Sequence, residues 1–224
     1  LDIPPPQVAY AVTSMCTTGG LIWAGGAFGA RIWEFDHWRS DVSHRPSDWF
    51  PSCVSNGTEL IEITTLFISI YAPNIGWVRY PMVGQALARL VAKFVVWRDI
   101  IYLHSQNVVW SWKRGDSVWV QVLETPSLLT DRAIAVGDSS LYIAAGTCVL
   151  RYSLPLVNNS VPVSSSPFQA VFAVHYDAAE RALLMGGRFV SDKGTNLMAL
   201  DPETLVPLGT RYPTRGLAGF EVSH

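Results

Sequence analysis

Trp33, His37, Trp38, Arg39, His44, Arg45 and Trp49, with Phe50 beside the last, stand within a short stretch near the start of the chain. Indole faces bury much area at small entropic cost, and Arg and His add directional hydrogen bonds, so this mixture is typical of binding hot spots. Flat aromatic faces also stack on sugar rings. Residues of these types bind ligands more readily than they turn them over. His37 and His44 are seven positions apart. That spacing suits neither two metal ligands one helical turn apart nor two on one strand face, so no metal site is expected. Ser164-Ser165-Ser166 reads as a polar linker between Pro162 and Pro167, without the glycine frame of a nucleophile elbow. Asp36, Asp99, Asp177 and Asp201 stand at strand ends or turns, where Asp commonly accepts backbone N–H bonds. No catalytic constellation and no cofactor site emerges.

Cys16, Cys53 and Cys148 form no CxxC pair and no zinc spacing. A bridge between Cys16 and Cys53 would need a loop to fold back, and the odd count leaves one thiol over. Asn56-Gly57-Thr58 and Asn158-Asn159-Ser160 are N-glycosylation sequons in expected loops, so Asn56 and Asn158 are glycan candidates. With few lysines and many Trp, they favour an extracellular or luminal setting; the alternative is an intracellular assembly subunit. The opening Leu1-Asp2-Ile3-Pro4-Pro5-Pro6 reads as a mature or excised chain end.

The elements positioning these residues are strands. Hydrophobic residues make up 49% of the 224 and charged ones 15%, enough apolar material for one large all-β domain. The net charge of −2, without a basic stripe, argues against nucleic acid. No uncharged apolar run reaches the roughly 20 residues of a membrane span. Apolar runs of four to eight residues, rich in Val, Ile, Tyr, Trp and Phe, alternate with Gly, Pro, Asn, Asp and Ser. Val83 to Val96 could pass as an amphipathic helix through Leu87, Leu90, Val91 and Phe94, but Phe94-Val95-Val96-Trp97 is β-favouring.

The runs also repeat. Leu21-Ile22-Trp23-Ala24-Gly25-Gly26 returns as Leu183-Leu184-Met185-Gly186-Gly187, with weaker copies at Ile101 and Leu141. Those starts lie about 40 residues apart or twice that, and Leu66 to Tyr71 is the best candidate for the missing copy. A period near 40 with about four short strands per unit fits a β-propeller blade. The expected fold is therefore all-β: one propeller of about five four-stranded units, complete or part of a larger ring. The units are 8–55, 56–86, 87–126, 131–166 and 167–210, with 211–224 reading as a closing strand. The expected inner strands are Val8–Cys16, Glu59–Thr65, Leu87–Val96, Arg132–Gly137 and Val171–Tyr176. Gly25, Gly26, Gly186 and Gly187 are expected in turns after second strands, where positive φ or close backbone approach excludes a side chain.

The stretch from Ala182 to Leu208, with Gly186-Gly187 and Asp201-Pro202-Glu203-Thr204, resembles a kelch repeat. Ala27-Phe28 and Arg188-Phe189, after the glycine pairs, resemble the Gly-Gly-x-Phe variant of extracellular propellers similar to fungal cortical polarity markers. The resemblance is good for one unit and partial for the first; Leu205 and the Ala-Gly of unit four depart from it. The absent catalytic constellation, low charge and surplus aromatics favour an interaction platform with protein partners, within a larger protein or assembly. The alternative is a carbohydrate-binding propeller, stacking sugars on Trp and Tyr faces, or a glycosidase-like one, which would need facing carboxylates around the axis. Of the expected inner strands only the second carries acids, Glu59 and Glu62, so the non-catalytic reading is preferred.

Overall fold

A computed structural model describes residues 12–18, 21–26, 29–34, 36–40, 52–63, 67–72, 75–81, 93–105, 107–125, 133–156, 163–165, 168–189 and 195–214. Among these, every regular element is a strand, and the strands form five antiparallel sheets of four, each in chain order. Blade one holds β1 (Val12–Thr18), β2 (Leu21–Gly26), β3 (Gly29–Glu34) and β4 (His37–Ser40). Blade two holds β5 (Ser52–Ser55), β6 (Leu60–Ile63), β7 (Phe67–Ala72) and β8 (Gly76–Pro81). Blade three holds β9 (Lys93–Trp97), β10 (Ile100–Ser105), β11 (Val108–Lys113) and β12 (Val120–Glu124). Blade four holds β13 (Ile134–Val136), β14 (Ser140–Ala145), β15 (Cys148–Ser153) and β16 (Val163–Ser165). Blade five holds β17 (Phe168–Asp177), β18 (Ala182–Phe189), β19 (Thr195–Leu200) and β20 (Pro207–Thr214). First strands of successive blades lie side by side, so they line the axis and fourth strands lie outermost. The all-β propeller expected from the repeat is the fold.

Fully apolar runs form because successive strand residues point to opposite faces and both faces meet a neighbouring blade. In β10, Ile101 and Leu103 pack with Ile61, Ile68 and Phe94 of the core shared by blades two and three. Tyr102, between them, joins Leu141, Ile143 and Tyr152 in the core shared by blades three and four. Trp23, Ile32 and Leu60 connect blades one and two; Tyr142, Val149, Leu183 and Met185 connect four and five. Each fully buried aliphatic side chain contributes about 1.5–3 kcal/mol, so these cores hold the sheets in place.

Several boundaries differ from the repeat reading. The second strand of blade two is β6 from Leu60, and Phe67–Ala72 is its third. Ser52–Ser55 therefore opens blade two instead of closing unit one, and Glu59 and Glu62 lie off the axial strand. The helix alternative fails over its described part, since Lys93–Trp97 is strand. Ser164 and Ser165 belong to β16 instead of a linker. Residues 211–214 finish β20, so no separate closing strand begins at 211; residues 215–224 lie outside the described residues.

The glycine pairs also sit in strands and not in turns. Gly25 and Gly26 end β2, and Gly186 and Gly187 pair with Leu197 and Asn196 inside β18. Gly25 and Gly187 lack left-handed φ, so close approach is what excludes a side chain. A Cβ at Gly25 would strike the Trp23 ring lying over it; one at Gly187 would strike the Ala170 carbonyl oxygen. The turn reading holds instead at Gly146, φ 63°, between β14 and β15. Gly187→Ala is expected to cost about 1–3 kcal/mol by overpacking a backbone contact, read as a lower midpoint in urea unfolding. An unchanged midpoint would show that β17 moves aside freely.

Candidate functional site

Blade one's outer hairpin gathers four of the aromatic and basic residues expected to bind. Strands β3 and β4 pair Trp33 with Trp38, Glu34 with His37 and Ile32 with Arg39. Asp36, at φ 64°, forms the turn, a conformation that short polar Asp tolerates better than branched residues. The two indoles meet edge to face, with centroids 5.5 Å apart and planes at 63°, the geometry the ring quadrupoles favour. Both are half-buried, and His37 is exposed at the hairpin end. Strand alternation puts Trp33 and Trp38 on the sheet face opposite Trp23 and Ile32, which point into the core with blade two. Met15, 48% exposed, shares the indoles' face. Arg45, Trp49 and Phe50, the rest of the expected set, and His44 lie outside the described residues, as does Asn158.

A second cluster escaped sequence reasoning because its members are far apart in the chain. On the ring face bearing the β5–β6 turn, Arg114 of blade three donates to Glu59 of blade two at 2.6 Å. Asn56 organises that turn: its side-chain oxygen accepts from the Thr58 and Glu59 backbone N–H groups and from the Thr58 hydroxyl, and its amide donates to Glu59. The hydrogen bond from Arg114 holds the Glu59 carboxyl below its ordinary range despite partial desolvation. Lys113 pairs with Asp99 on the same side of blade three. Trp97 reaches the Asp138 carbonyl, and Tyr142 the Pro202 carbonyl, so neighbouring blades are tied by polar contacts as well as by their cores. Asn56-Gly57-Thr58 was readable as a loop, but nothing local named Arg114 as the partner of Glu59.

The acids do not converge. Glu62 is fully buried in β6, between Cys53 of β5 and Ser69 of β7 in register. Asp177 and Asp201 cap their own turns: Asp201 accepts from the Glu203 and Thr204 N–H groups and the Thr204 hydroxyl, and the Thr204 bonds lower its pKa. Among the described residues, axial strands carry one carboxylate, Asp177 at the end of β17, and no group of three His, Cys, Asp or Glu could hold a metal. None of the three cysteines is in a disulfide; Cys16 and Cys53 stand on first strands of neighbouring blades against one core. Burial pushes the Cys148 thiol up, away from the reactive thiolate. Among the described residues no helix is long and apolar enough to cross a membrane.

No family model matches the chain, and no curated protein matches it in sequence. Solved structures do. Hsv2 of Kluyveromyces lactis, in a form with a complete loop 6CD, superposes with a TM-score of 0.61 over 92% of this chain at 11% identity. PorZ, an essential surface component of the type-IX secretion system of Porphyromonas gingivalis, gives a TM-score of 0.56 over 94% at 10% identity. These likenesses show a shared β-propeller fold. The chain spans 64% of the Hsv2 chain and 27% of the PorZ chain, less than two thirds of either.

The Glu59–Arg114 tie has a definite pH signature. A depressed carboxyl pKa stabilises the fold above the ordinary Glu range, and that contribution disappears as pH falls through the depressed value. Glu59→Gln is therefore expected to lower stability by up to about 1 kcal/mol at neutral pH, the scale of a partly exposed pair. The difference from wild type should vanish in acid. Thermal unfolding of both proteins across an acidic-to-neutral series checks this; a gap that widens in acid would refute it.

Proposed function

We propose that this propeller is a non-catalytic interaction module whose contact surface is the outer hairpin of blade one, centred on the face carrying Trp33 and Trp38, with His37 and Arg39 bordering it from positions in register with Glu34 and Ile32. The observation carrying this reading is the Trp33–Trp38 pair, half-buried on a sheet face that also presents Met15. Partly exposed indoles on a rigid hairpin offer a large preorganised apolar area, the usual core of a protein–protein hot spot. The scattered, self-capping carboxylates support binding over turnover. Arg45, Trp49 and Phe50, outside the described residues, belong to the proposed set by their place in the sequence alone.

The module works within a larger protein or assembly, in an extracellular or luminal setting. The exposed turn at Asn56 supports that setting, because its sequon is open to solvent and Asn56 keeps one amide hydrogen bond only to Glu59. Its blades are of the kelch-like kind. The Asp201 cap gives the Asp-Pro-x-Thr phrase a compact turn leading into the last strand, in support of that assignment.

Replacing both indoles in Trp33→Ala/Trp38→Ala should leave the β-sheet circular dichroism intact. Affinity for a protein partner isolated with the native protein should fall by at least about 30-fold, the effect of losing a hot spot worth roughly 2 kcal/mol. Equal affinity in the variant would overturn the surface assignment. Saturable binding of the wild type on a glycan array, lost in the same variant, would replace the protein partner with a carbohydrate. Enzymatic deglycosylation of native-source material should mark Asn56 by conversion to Asp; an unmodified Asn56 peptide would remove that argument for the setting.

A further inference from the structure

The core between blades one and two receives a cysteine from each side. Cys16 of β1 is in register with Trp23 of β2, and residues in register share a sheet face. Trp23 lies in the core with blade two, so the Cys16 side chain points toward blade two. Cys53 of β5 is in register with Glu62, which shares a face of β6 with Leu60, two positions away. Leu60 belongs to the same core as Trp23, so Cys53 points back toward blade one. Val54, the next residue along β5, packs on the other side with Ile61 and Phe94, as strand alternation requires.

The two first strands run side by side, with Cα atoms of β1 and β5 within 8 Å of one another. A disulfide spans Cα separations of roughly 4.4–6.8 Å. Both cysteines are half-buried and packed against one core from facing sides, so a bond between them needs a small approach and no loop folding back. Cys148 stands apart: it lies in β15, against the core of blades three and four, and its thiol donates to the Ala145 carbonyl.

We propose that Cys16 and Cys53 are a modification site, joined by a disulfide across the gap between blades one and two when a small disulfide oxidant of the glutathione type reaches them. Either thiolate attacks the oxidant, forming a mixed disulfide and releasing one molecule of its thiol. The second thiolate then attacks the protein sulfur of that mixed disulfide and releases the other. Two electrons pass to the oxidant, and the two thiol protons end on its reduced halves. The bond encloses residues 17–52, and with them the Trp33–Trp38 hairpin, so it ties the blade bearing the proposed contact surface to its neighbour. An extracellular or luminal setting supplies such oxidants. The site itself rests on geometry and stands apart from what the hairpin binds.

Incubation of the folded, reduced 224-residue chain in a glutathione redox buffer, followed by alkylation and peptide mapping, tests this. The product should lose two hydrogens, yield one cross-linked peptide pair joining Cys16 to Cys53, and carry the alkyl group at Cys148. Oxidation of the urea-unfolded chain should scatter the bond over the three possible pairings, since the fold is what brings these two thiols together. Cys53→Ser should leave Cys16 as a mixed disulfide with glutathione, because no second thiol completes the exchange. The bridged wild type should melt about 5–15 °C above the reduced protein, a gap absent in Cys53→Ser. If that variant fails to fold, mapping of the wild type alone decides. Alkylation at both Cys16 and Cys53, a bond to Cys148, a bond between chains, or a bridge that lowers the melting temperature would each overturn the proposal. Native-source material with both thiols reduced, beside a purified chain that forms the bridge, would support the site and overturn the oxidising setting.

Discussion

A blade in the middle of this protein has no face to give to water. Burying both faces of a four-stranded sheet is the constraint that organises the chain, because the backbone can be satisfied within the sheet while every side chain meets a neighbour. Strand β10 shows the consequence in three successive residues, with Ile101 and Leu103 committed to blade two and Tyr102 to blade four. Apart from groups such as Glu62 and His104, buried in second strands, polar chemistry is displaced to turns and outer strands. There Asp177 and Asp201 close their own loops, and His37, Asn56 and Arg114 reach solvent.

Apolar packing alone would let stacked sheets slide, since dispersion has little directional preference. The polar contacts between blades are placed to resist that. Trp97 donates to Asp138 from the neighbouring blade, Tyr142 to Pro202, Arg114 to Glu59 and Arg151 to Glu203. Burial pushes the Tyr142 phenol up to about 12, so it remains a neutral donor throughout the physiological range. Each exposed ion pair contributes little free energy by itself. Their common effect is registry: they set how far each blade may rotate against the next.

The period was legible in sequence because it follows from strand length and turn chemistry, both local. The phase of blade two was not. Its second strand, Leu60–Ile63, contains the buried Glu62, which interrupts the apolar phrase, whereas the third strand reads Phe-Ile-Ser-Ile-Tyr and mimics a second strand. The glycine pairs were recognised as special for a partly correct reason. Close approach applies at Gly25 and Gly187, but the obstacle is a Trp ring in one and a carbonyl in the other, and neither can be foreseen from spacing. Of the candidate site, the aromatic and basic composition and the turn residue Asp36 were legible, but the strand His37–Ser40 that pairs Trp38 with Trp33 was not. The Glu59–Arg114 tie, 55 positions apart in the chain, depends on how two blades meet.

That difference bears on where recognition can reside. Interior blades spend both faces on their neighbours, leaving turns and outer edges for solvent. Blade one puts two indoles and a methionine on the face opposite its core with blade two. Trp and Met there do nothing for the core with blade two, which Trp23, Ile32 and Leu60 already fill from the opposite side. Large apolar residues on that face are explained by whatever covers it, since a propeller blade packs through both of its faces. A blade face is flat, and its complement by shape is another flat sheet, whether it continues the ring or arrives on a partner.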